Sequence, residues 1–218
     1  MKGQESSQTK FIWSVAILQL VMVGIYWLLF RYDENAHPFN HHHKEVCPCL
    51  SSSYFQIYRL SFLQKAHIDF DDAYPLGVDV MMMLFGGFGF LMTYLKRYGL
   101  SSVGFTMILT VIVSQFSLIV FGLIKMDPAK EFSIRIGFID VIEAGLIGGA
   151  VLISFGVIIG KVNPFQLLFM ALIESICCVI NLYVGYFVLG VVDVGGSIFI
   201  HTFGAFFGLA VSFCLRFL

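Results

Sequence analysis

Long apolar runs alternate with short polar breaks along this chain, and the length of those runs decides its class. At roughly 20 apolar residues per bilayer crossing, six spans can be marked, at 11–30, 76–95, 103–124, 138–159, 165–189 and 195–215. The first run is too long for a signal core and no small-residue cleavage site follows it, so it is read as a retained leading helix. A short polar tail (1–10) precedes it and one sizeable polar loop (31–75) follows. The turn at Leu100–Ser102 is short enough to make its flanking helices antiparallel neighbours. The predicted fold is all-α, a polytopic membrane bundle of six transmembrane helices, with residues 76–218 as its main transmembrane domain.

Composition sharpens this without changing it. Hydrophobic residues make up 58% of the chain and charged residues 12%, against roughly 25% charged in soluble domains; the mean hydropathy is +0.87. The net charge of −1 offers no basic surface for nucleic acid, so the expected environment is the lipid bilayer. Lys2, Lys10, Lys96, Arg97, Lys161 and Arg216 fall at one set of span ends, against the single acid Glu5. Basic residues in short loops orient a bundle, so both termini are expected in the cytoplasm.

Within the spans, the last one carries the chemistry. It runs D-V-G-G-S-I-F-I-H-T-F-G-A-F-F-G-L-A-V-S-F-C-L from Asp193 to Leu215. Asp193 can accept from the free N–H groups of Gly195, Gly196 or Ser197 at the helix start. With an α-helical period, Ser197, His201, Gly204, Ala205, Gly208 and Ser212 share one face, which aims the imidazole at a protein interior. An ionisable group inside a membrane is costly and therefore points to function, although a lone membrane histidine often only satisfies packing.

The other spans carry structural signals. Pro75 suits the opening turn of the second helix, and Gly86, Gly87 and Gly89 thin one of its surfaces. Ser114 and Gln115 can bond neighbouring helices, each worth about 0.6 kcal/mol. Asp140 and Glu143 stand at the outer end of the fourth span, followed by glycines paired for helix packing. Glu174, Cys178 and Asn181 share a face of the fifth. A carboxyl as deep as Glu174 must be protonated, paired or hydrated, so a buried network of Glu174 and Asn181 is expected. Cys177, Cys178 and Cys214 read as packing thiols.

The loop holds His37, His41, His42, His43, Cys47 and Cys49, but not at a recognised zinc spacing, and Pro48 makes the two cysteines poor joint ligands. No metal and no cofactor is expected. Asp69, Asp71 and Asp72 close the loop as an acidic run that reads as solvated charge. No nucleophile–base pair converges in the spans, so catalytic residues, and an enzyme, are not expected.

Three blocks carry a family resemblance: F-G-F-L-M-T-Y-L-K-R-Y-G-L-S-S-V-G-F (Phe88–Phe105), A-V-L-I-S-F-G-V-I-I-G-K-V-N-P-F-Q-L-L (Ala150–Leu168), and D-V-G-G-S-I-F-I-H-T-F-G-A-F-F-G-L from Asp193. In this order they resemble the Rh-glycoprotein branch of the ammonium transporter family. The resemblance implies that ammonium gathers at an outer vestibule and loses its proton, and that ammonia crosses an apolar pore lined by two facing histidines. It implies that His201 is the first of that pair and that Asp193 holds the vestibule backbone. It also implies an oligomer, a trimer by analogy. Leu146 stands where the family has a phenylalanine gate, and Leu182 where many Rh proteins have a glutamate. The family's fold is two inverted five-helix repeats; these six spans match a leading helix plus the first repeat, so the chain is expected to be an incomplete piece. The function expected is an ammonium/ammonia channel of the Rh type; the alternative is a non-conducting Rh-like scaffold or assembly subunit.

Overall fold

The computed structural model describes residues 2–32, 70–125, 133–191 and 193–216, and the statements below concern these. Six helices long and apolar enough to cross a membrane are present, as the apolar runs predict. Their α-helical parts are α1 (Lys2–Leu29), α2 (Phe70–Met81), α3 (Gly99–Lys125), α4 (Phe138–Ile158), α5 (Pro164–Tyr183) and α6 (Phe203–Leu215). Three spans contain wider turns with one extra residue. α2 runs on through a π-helical stretch, Met82–Phe88, and then through Gly89–Leu91 and Met92–Tyr94. α5 ends in another, Val184–Val188, and α6 is entered through a third, Ser197–Thr202.

Three helix starts differ from the sequence reading. α3 begins at Gly99, so the turn before it lies at 95–98 and Leu100–Ser102 belong to the helix. The polar residues 2–10 belong to α1 rather than to a separate tail. Pro75 lies inside α2, which begins at Phe70, a turn earlier than expected. A short parallel ladder joins β1 (Phe30–Tyr32) to β2 (Ile134–Ile136), tying the end of α1 to the segment entering α4. The histidines and cysteines of the loop lie outside the described residues, as do Asp69 and the side chains of Asp71 and Asp72.

α4 is the hub. It packs against α2, α3, α5 and α6, and 72% of its span is buried, against 6% for α1. Its glycines explain the difference, because small residues let neighbouring helices approach. A Cβ placed at Gly145 would lie 3.2 Å from Leu84 Cδ1, and one at Gly148 would lie 3.4 Å from Ser114 Oγ. Gly86 and Gly87 of the second span show no such approach; nothing lies within 4 Å of a Cβ at Gly87. Leu84, Val113, Ala150, Val151, Leu152, Ile158, Ala171 and Val179 form a dry centre. α1 is peripheral and seals a second cluster, Met22 with Ile112, Ile119 and Leu168. Its Tyr26 hydroxyl donates to the Gln115 carbonyl at 2.7 Å, so residue 115 does join two helices, through its backbone. In α3 the Thr106 and Thr110 hydroxyls donate to the carbonyls four residues back, which satisfies them inside the apolar core.

Candidate functional site

The last span begins with a turn that only glycine makes cheaply. Gly195 and Gly196 have φ of 68° and 70°, in the left-handed region where a Cβ is penalised. This turn uses up residues before the helical path starts at Ser197. The N–H groups that reach the buried Asp193 carboxylate are therefore those of Ile198 and Phe199, each 2.8 Å from Oδ2, rather than those of 195–197. Asp193 thus satisfies two orphan donors of the helix start from outside the helix.

His201 lies in the π-helical stretch that follows, and here the structure departs from the expected face. Gly204 and Gly208 are buried against α4: a Cβ at Gly204 would meet Ala150 O at 2.6 Å, and one at Gly208 would meet Ser154 Cα at 2.9 Å. Ser197, His201 and Thr202 are exposed. An α-helical period puts Ser197 and His201 on the glycine face; the extra residue of the π-turn rotates them out of it. The imidazole is thus not walled in by the described residues. It faces outward beside the α4–α6 seam, while Ile200, next to it, turns inward towards Gly149.

Glu174 is fully buried on α5, and its partners come from other helices. The Ser154 hydroxyl of α4 faces both Glu174 Oε1 and the Gly204 carbonyl, which it reaches at 2.7 Å. Glu174 Oε2 has no hydrogen-bond partner among the described residues. Cys178, one turn further along α5, directs its thiol at the Phe199 carbonyl, 3.8 Å away. Asn181 is half-buried and appears in none of these bonds. The network around Glu174 therefore runs across to α4 and α6 rather than along α5. Ser154 is the member that sequence reasoning missed, because no local spacing marks a serine whose partners lie 20 and 50 positions away.

At the opposite end of α4, Lys125 from α3 joins the two acids. Its ammonium lies 3.0 Å from Asp140 Oδ1, 3.7 Å from Glu143 Oε2 and 4.1 Å from the Phe121 ring centroid. Asp140 also accepts from the Gly137 N–H at 2.8 Å, which anchors the entry into α4. Leu146 is half-buried on α4 at the edge of the main cluster, and Leu182 is buried within it. Asp79, which the sequence reading passed over, is exposed within the second span.

Comparison with known proteins converges with this geometry. Residues 64–216 match the model of the Ammonium Transporter Family. The chain is 40% identical over 196 residues to the ammonium transporter Rh type B of Oryzias latipes, covering 90% of this chain and 39% of that protein. It is 49% identical over 148 residues to the Rh type B protein of Homo sapiens, covering 68% and 32%, and 50% identical over 139 residues to that of Sus scrofa, covering 64% and 30%. The chain thus spans 30 to 39% of the length of these relatives. A multi-pass helical bundle, matched over most of its length including the acid-capped final span, belongs to the ammonium transporter family, with Rh type B proteins among its relatives.

Proposed function

We propose that this chain supplies the first half of an ammonium/ammonia pathway of the Rh type, with His201 as a pathway residue. The observation that carries the reading is the Asp193 carboxylate, which fixes the start of the span bearing His201 through two backbone N–H groups. An exposed imidazole within a span calls for a proteinaceous or hydrated neighbour, because facing it with acyl chains is costly. A further transmembrane unit laid against this face converts the exposed side of His201 into a pathway wall.

Chemistry supports the substrate class. An ammonium ion sheds its hydration at great cost in an apolar channel, whereas neutral ammonia does not carry that penalty. An imidazole donates or accepts a hydrogen bond, so it can guide a small amine. Leu146 takes the gate position as an aliphatic constriction without the attraction an aromatic ring exerts on a cation. Glu174 belongs to the buried framework rather than to the path. The functional unit is an oligomer, a trimer by family resemblance, in the plasma membrane with both termini cytoplasmic.

The test is a chimaera in which this chain replaces the matching stretch of the Oryzias latipes protein, assayed in proteoliposomes for ammonia-driven pH change. The chimaera conducts, and His201→Ala lowers the rate with the protein still folded. Conduction that ignores His201 would overturn its role. A folded chimaera with no conduction would favour the non-conducting scaffold instead.

A further inference from the structure

The π-helical stretch Ser197–Thr202 determines which way His201 points, and its carbonyls are engaged from several sides. A π-turn carries one residue more than an α-turn and rotates whatever precedes it relative to whatever follows; such stretches persist where outside groups hold them. Here the Asp193 carboxylate takes the first N–H groups, and the Thr202 hydroxyl closes back on the Ser197 carbonyl at 2.7 Å. The remaining holds come from α4 and α5. Cys178 addresses the Phe199 carbonyl, and Ser154 addresses the Gly204 carbonyl just beyond the π-turn. These two carbonyls bracket His201 in sequence.

Ser154 is itself held by Glu174, whose carboxyl has no other hydrogen-bond partner among the described residues. A fully buried carboxyl with one partner is a poor contributor to stability, since burying it costs free energy that a single bond recovers only in part. Its position suits a different task. It fixes the rotamer of Ser154, and Ser154 fixes the backbone three residues past His201.

We propose that Glu174 and Ser154 are positioning residues that set the rotation of the His201 segment against α4. This deepens the reading of His201 as a pathway residue and rests on it for its functional meaning. The structural part can be tested without conduction.

The experiment uses the whole chain in lipid nanodiscs with isotope-labelled histidine, and the His201 resonance is assigned by its loss in His201→Gln. Glu174→Gln leaves that resonance in place, because an amide can donate to or accept from the Ser154 hydroxyl. Glu174→Leu and Ser154→Ala both shift it, while the loop histidines, His37, His41, His42, His43 and His67, stay where they are. A purely stabilising role lowers the thermal midpoint and leaves the His201 resonance unmoved; that result overturns the proposal, as does a glutamine as disruptive as leucine. Should Glu174→Leu fail to fold, Ser154→Ala, which removes a single hydroxyl, carries the same expectation and the same power to overturn it. If instead the chimaera conducts without His201 while these shifts appear, the positioning stands and only the pathway reading falls.

Discussion

Asp193 and the glycines beside it show how much a single residue decides. Asp193→Ala strands two N–H groups in a buried helix start, a loss of roughly 1–3 kcal/mol at such sites; unfolding by denaturing detergent should begin correspondingly earlier. Asp193→Asn keeps one acceptor and should fall between the two. Glycines divide by surroundings. Gly204→Ala and Gly208→Ala press a methyl onto the backbone of α4 and should cost about 1–3 kcal/mol. Gly87→Ala meets nothing and should be neutral or gain up to about 1 kcal/mol from reduced freedom of the unfolded chain. Thermal midpoints of the three variants, measured side by side, check the ranking. The acid at the helix start was legible from D-V-G-G because capping is local chemistry. The N–H groups it serves were not, because two left-handed glycines shift the helix start in a way that a residue count does not reveal.

At the scale of elements, spans were readable because apolar length is a one-dimensional property, and their interiors were not. An α-helical period was assumed through 195–215, and the π-turn breaks it near its start. This is why His201 and Gly204 part company. Equally invisible was the pairing of α3 with α4 through Lys125, since the residues between them do not reveal which charges will meet. Lys125→Met leaves Glu143 buried beside Asp140 without the cation that pairs with both among the described residues, and should destabilise the α3–α4 pair by up to about 3 kcal/mol. That figure sits at the low end for broken buried pairs because Lys125 is itself partly exposed. Combining it with Glu143→Gln should recover part of the loss, which a double-mutant cycle reads directly.

For the whole molecule, orientation is the property that the charge pattern sets. Lys96, Arg97, Lys161 and Arg216 lie at ends that antiparallel spans gather on one side. With that side cytoplasmic, an epitope at either terminus is hidden from antibody on intact cells and reached after permeabilisation. Detection of either terminus without permeabilisation would reverse the proposed orientation. The bundle's membership in its family was legible from three sequence blocks, because those blocks encode the turn at Tyr98, the glycine seam and the capped final span. The exposure of His201 appeared only in the structure.

The central place of α4 also bears on how the protein comes into being. A ribosome feeding spans into the bilayer in order delivers α1, α2 and α3 before the helix that all but the first of them grip. Until residues 138–158 emerge, the early segments have only the smaller contacts among themselves, such as Met22 with Ile112 and Ile119 and the Tyr26–Gln115 bond, since lipid solvates their apolar sides as well as a neighbour does. Synthesis of one glycine-rich stretch is then the moment at which separate insertions become a structure. Quality-control factors that recognise unassembled helices have until that moment to act.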